Sequence, residues 1–268
     1  MVRSGFEPWR PGRRPALPGL PRVIAHRGAS LDAPENTLAA FRLAHAQGAR
    51  MVELDARLAA DGELVVIHDP TLERTTDGRG RVIEATSTVL SRLDAGSWRG
   101  AAWRGEPLPT LAQALELLAG LGMGVNVELK ADPGEARRTG RAAGRLLRTA
   151  WPSAGPPLLV SSFEEVALEA LAESAPELPR ALLREAAGAD WREALERLGC
   201  TTLHLEAEHL GGDTIEALVA AGVPVLVYTV DDPARARALL DAGCRAVFTD
   251  LPGRMLEGLG ETSATAGQ

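Results

Sequence analysis

Short apolar runs alternate with helical patterns along most of the 268-residue chain, and this alternation restricts the folds that the chain can adopt. The runs predict eight β-strands, which are residues 23–26, 51–58, 125–130, 158–162, 180–184, 202–206, 225–230 and 245–249. Strands that alternate with helices pair in parallel, because each helix returns the chain to the same end of the sheet. Eight such units predict an α/β fold, the (β/α)8 or TIM barrel. A doubly wound open sheet is the alternative, but no glycine-rich dinucleotide-binding turn follows the first predicted strand.

Residues 70–109 interrupt this alternation, because they contain several turn signals and only one short amphipathic segment. We interpret them as a small insertion after the second strand, and residues 64–68 as a short strand that leads into it. The helix before the second strand is predicted over residues 35–47, with Gly48 at its end.

The two ends of the chain differ in composition from its body. Residues 1–21 are rich in proline, glycine and arginine, and residues 260–268 are small and polar, so both segments are predicted to be disordered. We expect a single TIM-barrel domain over residues 22–259. The N-terminal residues lack the apolar run of a signal peptide, and no stretch approaches the roughly 18 apolar residues of a membrane span. We therefore expect a cytoplasmic protein with no membrane span.

The net charge of −7 is unevenly distributed along the chain. Residues 1–22 contain five arginines and one glutamate, so the rest of the chain carries a charge of −11. An acidic body does not favour nucleic acid as a partner, since binding to its phosphates needs a basic surface. Cys200 and Cys244 are too few for a disulfide framework, and we interpret them as small core residues. The sequence gives no indication of the oligomeric state.

Ionisable residues lie at or near the carboxyl ends of three predicted strands. His26 ends the first strand, Glu53 and Asp55 lie in the second, and Glu128 and Lys130 end the third. Active sites of TIM barrels lie at this end of the barrel, so these residues are predicted to meet. Side chains two residues apart in a strand share a face, so Glu53 and Asp55 repel each other unless a positive group compensates. An edge strand with a solvated polar face is the alternative.

Three carboxylates in one place are typical of a metal site. Glu53, Asp55 and Glu128 would provide hard oxygen ligands, which suit Mg²⁺ or Ca²⁺. Zinc sites favour histidine and cysteine at characteristic spacings, and such spacings are not present in the sequence. We therefore predict one divalent cation, either Mg²⁺ or Ca²⁺.

Cationic and imidazole side chains complete this candidate site. Arg27 and Lys130 would bind an anionic substrate, and His26 and His68 would act as general acid and general base near neutral pH. A metal, two cations and two imidazoles together are typical of phosphoryl transfer.

Further polar residues near the predicted strand ends are candidates for a substrate pocket. Ser161 lies near the end of the fourth strand, and His204 and Glu206 near the end of the sixth. A single histidine at such a position is more often a core residue than a functional one, so a structural role for His204 stays an alternative. Asp250 follows the last strand and adds a further polar group at the same end.

Short motifs in a fixed order extend these observations over residues 22–259. They are HRG at 26–28, PENT at 34–37, ELD at 53–55, HDPTLERTTDGRG at 68–80, LPTL at 108–111, NVELK at 126–130, SSF at 161–163 and TDLP at 249–252. In this order they resemble the glycerophosphodiester phosphodiesterase family. The resemblance implies a TIM barrel with a small insertion and a bound divalent metal. It also implies hydrolysis of glycerophosphodiesters to sn-glycerol 3-phosphate and an alcohol.

The resemblance also implies roles for individual residues. His26 and His68 would take the acid–base roles. The metal ligands would be Glu53, Asp55 and Glu128. The phosphate-binding residues would be Arg27 and Lys130. It suggests that the nucleophile is the substrate's own glycerol 2-hydroxyl, which would form a cyclic phosphate before water opens it.

One motif departs from the family pattern. Tyr228 stands where the family commonly has tryptophan before Thr-Val-Asn, so the chain keeps an aromatic wall for the substrate pocket with a different shape. Two alternatives to the phosphodiesterase remain. One is an enzyme acting on lysolipids or inositol lipids, and the other is a non-catalytic binding protein with the same barrel. The sequence does not specify the alcohol of the substrate.

Overall fold

The computed structural model describes residues 19–261 and places them in a closed barrel of eight parallel strands. Its strands are β1 (Val23–His26), β2 (Met51–Leu58), β3 (Leu64–Val66), β4 (Gly124–Leu129), β5 (Leu158–Ser162), β6 (Arg180–Arg184), β7 (Thr202–Glu206), β8 (Val225–Tyr228) and β9 (Ala246–Thr249). β1 pairs with both β2 and β9, which closes the barrel. β3 pairs antiparallel with β2 and lies outside the ring. The predicted TIM barrel is confirmed.

Helices follow the strands around the barrel. They are α1 (Leu38–Ala46), α2 (Ser87–Leu90), α3 (Leu111–Gly120), α4 (Ala136–Ala150), α5 (Glu165–Ser174), α6 (Trp191–Leu198), α7 (Gly212–Ala220), α8 (Pro233–Asp241) and α9 (Pro252–Leu259). α1 begins three residues later than predicted, because Asn36 has a φ of +59° and Thr37 caps the helix by accepting a hydrogen bond from Ala40 N. Within residues 19–261, we find no helix with the length and apolar character needed to cross a bilayer.

The barrel interior changes from apolar to polar along its axis. Ile24, Met51 and Phe248 belong to an apolar cluster inside the barrel, and Leu20 packs against the same cluster. Side chains alternate between the two faces of each strand, so the next inward positions after Ile24 and Met51 are His26 and Glu53. The apolar layer therefore supports a polar layer at the carboxyl ends of the strands.

Residues 70–109 pack as an appendage beside β3. Ile67, directly after β3, belongs to one small apolar core with Leu72, Val82 and Leu90 of the appendage. Glu106, near the end of the appendage, accepts a hydrogen bond of 2.9 Å from the free backbone N–H of Ala39 in the first turn of α1. The appendage is thus fixed both to the barrel and to the first helix.

The predicted domain bounds and terminal disorder stay predictions. Residues 1–18 and 262–268, on which most of the disorder prediction falls, lie outside the described residues. At the margins of the described chain, Leu20 is buried and Arg22 forms an ion pair of 3.0 Å with Glu261.

Candidate active site

Three carboxylates meet at the carboxyl ends of β2 and β4. Glu53, Asp55 and Glu128 are almost fully buried, with exposed fractions of 3%, 1% and 6%. One oxygen atom from each lies within 4.8 Å of the others. The parallel register places Asp55 directly beside Glu128, so the sheet itself fixes the cluster. The structure therefore brings the three predicted metal ligands together.

Crowding of like charges changes the acidity of these groups. Burial and, after it, the charge of Asp55 raise the pKa of Glu53 to about 8, and they also raise the pKa of Glu128. Burial alone would raise the pKa of Asp55 too, but the charges of Arg27 and Lys130 outweigh it and lower that pKa. The positive charges of Arg27 and Lys130 therefore compensate Asp55 more fully than they compensate Glu53.

The hydrogen bonding of the carboxylates tests whether the cluster fits a divalent cation. Within residues 19–261, no group donates a hydrogen bond to the buried Oε1 of Glu53. Asp55 Oδ1 and Glu128 Oε1 face the Lys130 ammonium, with Nζ at 3.6 and 2.5 Å. A hard dication prefers oxygen ligands of this kind and offsets the cost of burying like charges. The donor set therefore fits such a cation.

The loop between β1 and α1 holds the carboxylates in place. Arg27 N donates a hydrogen bond of 3.0 Å to Glu53 Oε2, and Asn36 Nδ2 donates one of 2.8 Å to Asp55 Oδ2. Asn36 Oδ1 also accepts from Asp55 N at 3.1 Å. Arg27 and Asn36 both have positive φ, at +56° and +59°. Gly28 has a φ of +84°, and a Cβ there would lie 2.8 Å from the backbone of Ala40, so the turn requires glycine.

Asn36→Gly is expected to weaken binding of Mg²⁺ or Ca²⁺ by about 10-fold, because Asp55 loses the side-chain amide that helps to orient it. Glycine tolerates the positive φ of this position, so the change removes the side-chain bonds without adding backbone strain. Isothermal titration calorimetry measures the affinity. Gln47→Ala is the control, since its amide bonds the exposed Asp32 at 2.8 Å on the outer surface. An unchanged affinity in Asn36→Gly would contradict the role of this amide.

Each predicted catalytic histidine is paired with an aspartate. His26 Nδ1 lies 2.7 Å from Asp250 Oδ1, and His68 Nδ1 lies 2.7 Å from Asp69 Oδ1. Asp250 Oδ1 also accepts a hydrogen bond of 2.8 Å from Ser30. An ionised carboxylate can only accept, so Nδ1 carries the proton in both rings and Nε2 is left for proton transfer.

The two imidazoles differ in their preference for charge. Burial would lower the pKa of His26, but the hydrogen bond to Asp250 and the charge of Glu53 outweigh burial and raise it. Burial dominates at His68 and lowers its pKa, despite the nearby charge of Asp55. The pair thus combines one ring that holds a proton more readily with one that stays neutral more readily, a combination that would suit acid–base catalysis.

Arg27 and Lys130 border the carboxylate cluster. Arg27 Nε lies 3.2 Å from Asp55 Oδ2, and the Lys130 ammonium lies 5.5 Å from the centre of the Phe163 ring. Their side chains are 18% and 16% exposed, so both remain accessible from the barrel mouth. They are placed where an anion bound at the cluster would meet them.

The candidate pocket residues occupy different depths. His204 is fully buried and lines a small cavity together with His26, Glu53 and Tyr228. Burial lowers the pKa of His204 to about 3, so this ring is neutral, and its Nε2 lies 3.2 Å from Thr202 Oγ1. His204 thus forms part of the pocket floor below the mouth.

The remaining pocket candidates lie around that cavity. Ser161 is buried and accepts a hydrogen bond of 2.9 Å from Asn126, which lines the cavity. The Tyr228 hydroxyl donates to Arg184 O at 3.1 Å. Glu206 is one-third exposed and lies 2.7 Å from His209 Nδ1, so it belongs to the rim. The structure therefore brings His204 and Tyr228 into contact with the cavity and leaves Glu206 above it.

Comparison with known proteins identifies the family. The sequence model of the Glycerophosphoryl diester phosphodiesterase family matches residues 26–254, which contain every site residue named above. The chain belongs to this family. The predicted enzyme class, glycerophosphodiester phosphodiesterase, is confirmed.

Individual known proteins align over most of the chain. The glycerophosphodiester phosphodiesterase of Caldanaerobacter subterraneus subsp. tengcongensis is 35% identical over 235 residues, which cover 86% of this chain and 94% of that protein. The structure of an Oleispira antarctica phosphodiesterase in complex with the product sn-glycerol-3-phosphate is 41% identical, with a TM-score of 0.87 over 90% of this chain and 97% of that one. A glycerophosphodiester phosphodiesterase from Agrobacterium tumefaciens is 34% identical, with a TM-score of 0.71 over 89% of this chain and 100% of that one.

Several supporting residues of this glycerophosphodiester phosphodiesterase site were not assigned a role from the sequence. They are Glu35, Asn36, Asp69, Arg74 and Asp250, all of which lie within or beside motifs of the family. Asn36 belongs to PENT, and Asp69 and Arg74 belong to HDPTLER. The available signal was that these polar residues lie in short motifs that also resemble the family.

Proposed function

We propose that the protein hydrolyses glycerophosphodiesters to sn-glycerol 3-phosphate and an alcohol. The observation that carries this proposal is the likeness to the Oleispira antarctica enzyme bound to that product, at 41% identity and a TM-score of 0.87. The three buried carboxylates beside two histidine–aspartate pairs support it, since they supply a cation site and acid–base groups in one place.

In this proposal Glu53, Asp55 and Glu128 hold one divalent cation, Mg²⁺ or Ca²⁺. When bound, such a cation stabilises negative charge on phosphoryl oxygens. Arg27 and Lys130 bind phosphoryl oxygens of the substrate, and their charge matters most as negative charge develops during the reaction.

His26 and His68 share the proton transfers. One Nε2 removes the proton from the nucleophile, and the other protonates the departing alkoxide, which is too basic to leave without an acid. Asp250 and Asp69 keep both rings oriented through Nδ1. The proposed nucleophile is the glycerol 2-hydroxyl, because attack within one molecule gains from proximity. This attack expels the alcohol and forms a cyclic phosphate, and water then opens the ring to give glycerol 3-phosphate.

A substrate panel tests the function and the nucleophile together. The purified protein is assayed on glycerophosphodiesters with different alcohols, on lysophospholipids and on 2-deoxyglycerol analogues, with release of glycerol 3-phosphate or its analogue as the readout. We expect turnover of the glycerophosphodiesters and much slower turnover of the 2-deoxy analogues. Lack of turnover on every glycerophosphodiester would contradict the function, and equal turnover of the 2-deoxy analogues would contradict the cyclic route alone.

A further inference from the structure

A single guanidinium at the start of the appendage bridges two carboxylates. Arg74 Nη1 and Nη2 donate to Glu35 Oε2 and Oε1 at 2.7 and 2.9 Å. Its Nε and Nη2 donate to Asp69 Oδ2 and Oδ1 at 2.6 and 3.0 Å. All three nitrogens of the fork are thus used, and each carboxylate receives two hydrogen bonds.

Both carboxylates hold a residue of the candidate active site. Glu35 Oε1 accepts a hydrogen bond of 2.9 Å from Arg27 Nη1, and Asp69 Oδ1 lies 2.7 Å from His68 Nδ1. Arg74 therefore joins two branches, one through Glu35 to Arg27 and one through Asp69 to His68. The Arg74 side chain is 44% exposed and that of Glu35 is 12% exposed, so the bridge is partly accessible to solvent.

We propose that Arg74 is a positioning residue that couples the phosphate-binding Arg27 to the proton-transferring His68. The proposal rests on the proposed function, which gives those two residues their roles. It gives a positioning role in the active site to a residue of the appendage, although the appendage lies outside the barrel.

The chemistry of each branch explains how Arg74 acts at a distance. In the His68 branch, the hydrogen bonds from Arg74 are the main reason that the pKa of Asp69 falls to about 2, which keeps Asp69 ionised and able to orient the ring. In the Arg27 branch, Arg74 donates to both oxygens of Glu35, and Oε1 also accepts a hydrogen bond from Arg27 Nη1, so the two guanidinium groups share the charge of this carboxylate. In the proposal, this sharing leaves more of the Arg27 charge for a bound phosphate.

The two branches predict separable kinetic effects. Loss of Arg74 leaves Asp69 free to rotate, so the orientation of His68 is lost and kcat falls. It also lets Glu35 bind Arg27 more strongly, so the substrate phosphate is bound less well and KM rises. We expect each parameter to change by about 10-fold in Arg74→Ala, the scale found for residues that orient site groups.

Double variants test this separation. In an Asp69→Asn background, Arg74→Ala is expected to raise KM without a further fall in kcat. In a Glu35→Gln background, it is expected to lower kcat without a further rise in KM. A purely structural role would instead give the same proportional loss in each background.

Two matched variants separate geometry from charge and from fold stability. Arg74→Lys keeps the positive charge but cannot bridge two carboxylates in a fork, so its kcat and KM are expected to lie between those of wild type and Arg74→Ala. Arg92→Ala removes another exposed arginine of the same appendage and is expected to leave both parameters unchanged. Millimolar guanidinium added to Arg74→Ala is expected to restore part of kcat.

Several results would overturn the proposal. Wild-type kinetics in Arg74→Ala would do so, as would full activity of Arg74→Lys or simple multiplication of effects in both double variants. His68→Ala and Arg27→Ala are assayed in parallel to separate this failure from that of the proposed function. If His68→Ala and Arg27→Ala lose activity while Arg74→Ala does not, the coupling alone is wrong. If these two variants keep wild-type kinetics, the roles assigned to His68 and Arg27 are wrong and the coupling fails with them.

Discussion

His26→Ala and His68→Ala are each expected to lower kcat by about 10²-fold or more, because each ring carries one of the two proton transfers. The double variant is expected to lose less than the product of the two single losses, since the rings act as a unit. Steady-state kinetics with a glycerophosphodiester, at saturating Mg²⁺ or Ca²⁺, measures both effects.

The control for these variants is His45→Ala, which removes a histidine of α1 on the outer face of the barrel. It is expected to keep wild-type turnover. Wild-type kcat in both His26→Ala and His68→Ala would refute the acid–base assignment, even if the enzyme still required a cation.

Glu53→Gln is expected to abolish cation binding and with it the activity. Exhaustive chelation of the wild type is expected to abolish activity until Mg²⁺ or Ca²⁺ is restored. The amide keeps the shape of Glu53 but cannot supply the charge that a dication needs from this buried oxygen. Calorimetric titration with the cation gives a readout that does not depend on turnover. Glu116→Gln, on the exposed surface of α3, is the matched control.

The pH dependence of this binding follows from the acidity of Glu53. Burial and the charge of Asp55 raise its pKa from the ordinary 4.5 to about 8 in the cation-free fold, so a cation must displace a proton. The apparent affinity is therefore expected to rise with pH up to about 8 and then to level off. The folded state holds this proton more tightly than the unfolded chain, so the Tm of the cation-free protein is expected to fall as pH rises from about 4.5 toward 8.

Calorimetry in buffers of different ionisation enthalpy checks whether protons are released. Binding that is independent of pH between 6 and 8, or full activity after complete chelation, would argue against the carboxylate cluster as the cation site. In Glu53→Gln, the slope of Tm against pH is expected to be smaller than in the wild type.

The barrel was predictable because its physical causes are local. Parallel strands covered on both faces leave continuous apolar runs, and β2 was predicted with its observed bounds, Met51–Leu58. The start of α1 was missed, since the left-handed conformation of Asn36 depends on its bonds to Asp55, nineteen residues away. Periodicity within a segment carries no information about such a contact.

The candidate site was predictable to the extent that strand ends and motifs determine it. Glu53, Asp55 and Glu128 were predicted because strand register brings neighbouring carboxyl ends together. The partners that orient the histidines, Asp250 and Asp69, could not be assigned in this way. Their hydrogen bonds join chain segments whose approach is set by loop conformation, and neither spacing nor apolar pattern encodes that conformation.

The alternation of faces in β2 has a consequence for how members of this family can change over time. Val52 and Leu54 face outward into the helix layer, while Glu53 faces the barrel interior. Loss or gain of one residue before Glu53 would exchange the two faces, burying the carboxylate among apolar side chains and turning valine toward the substrate. Outward-facing residues of this strand can therefore be substituted one at a time, whereas a change in its length is expected to disrupt the carboxylate cluster. Variation in length is expected instead in segments such as residues 70–109, many of which are exposed to solvent.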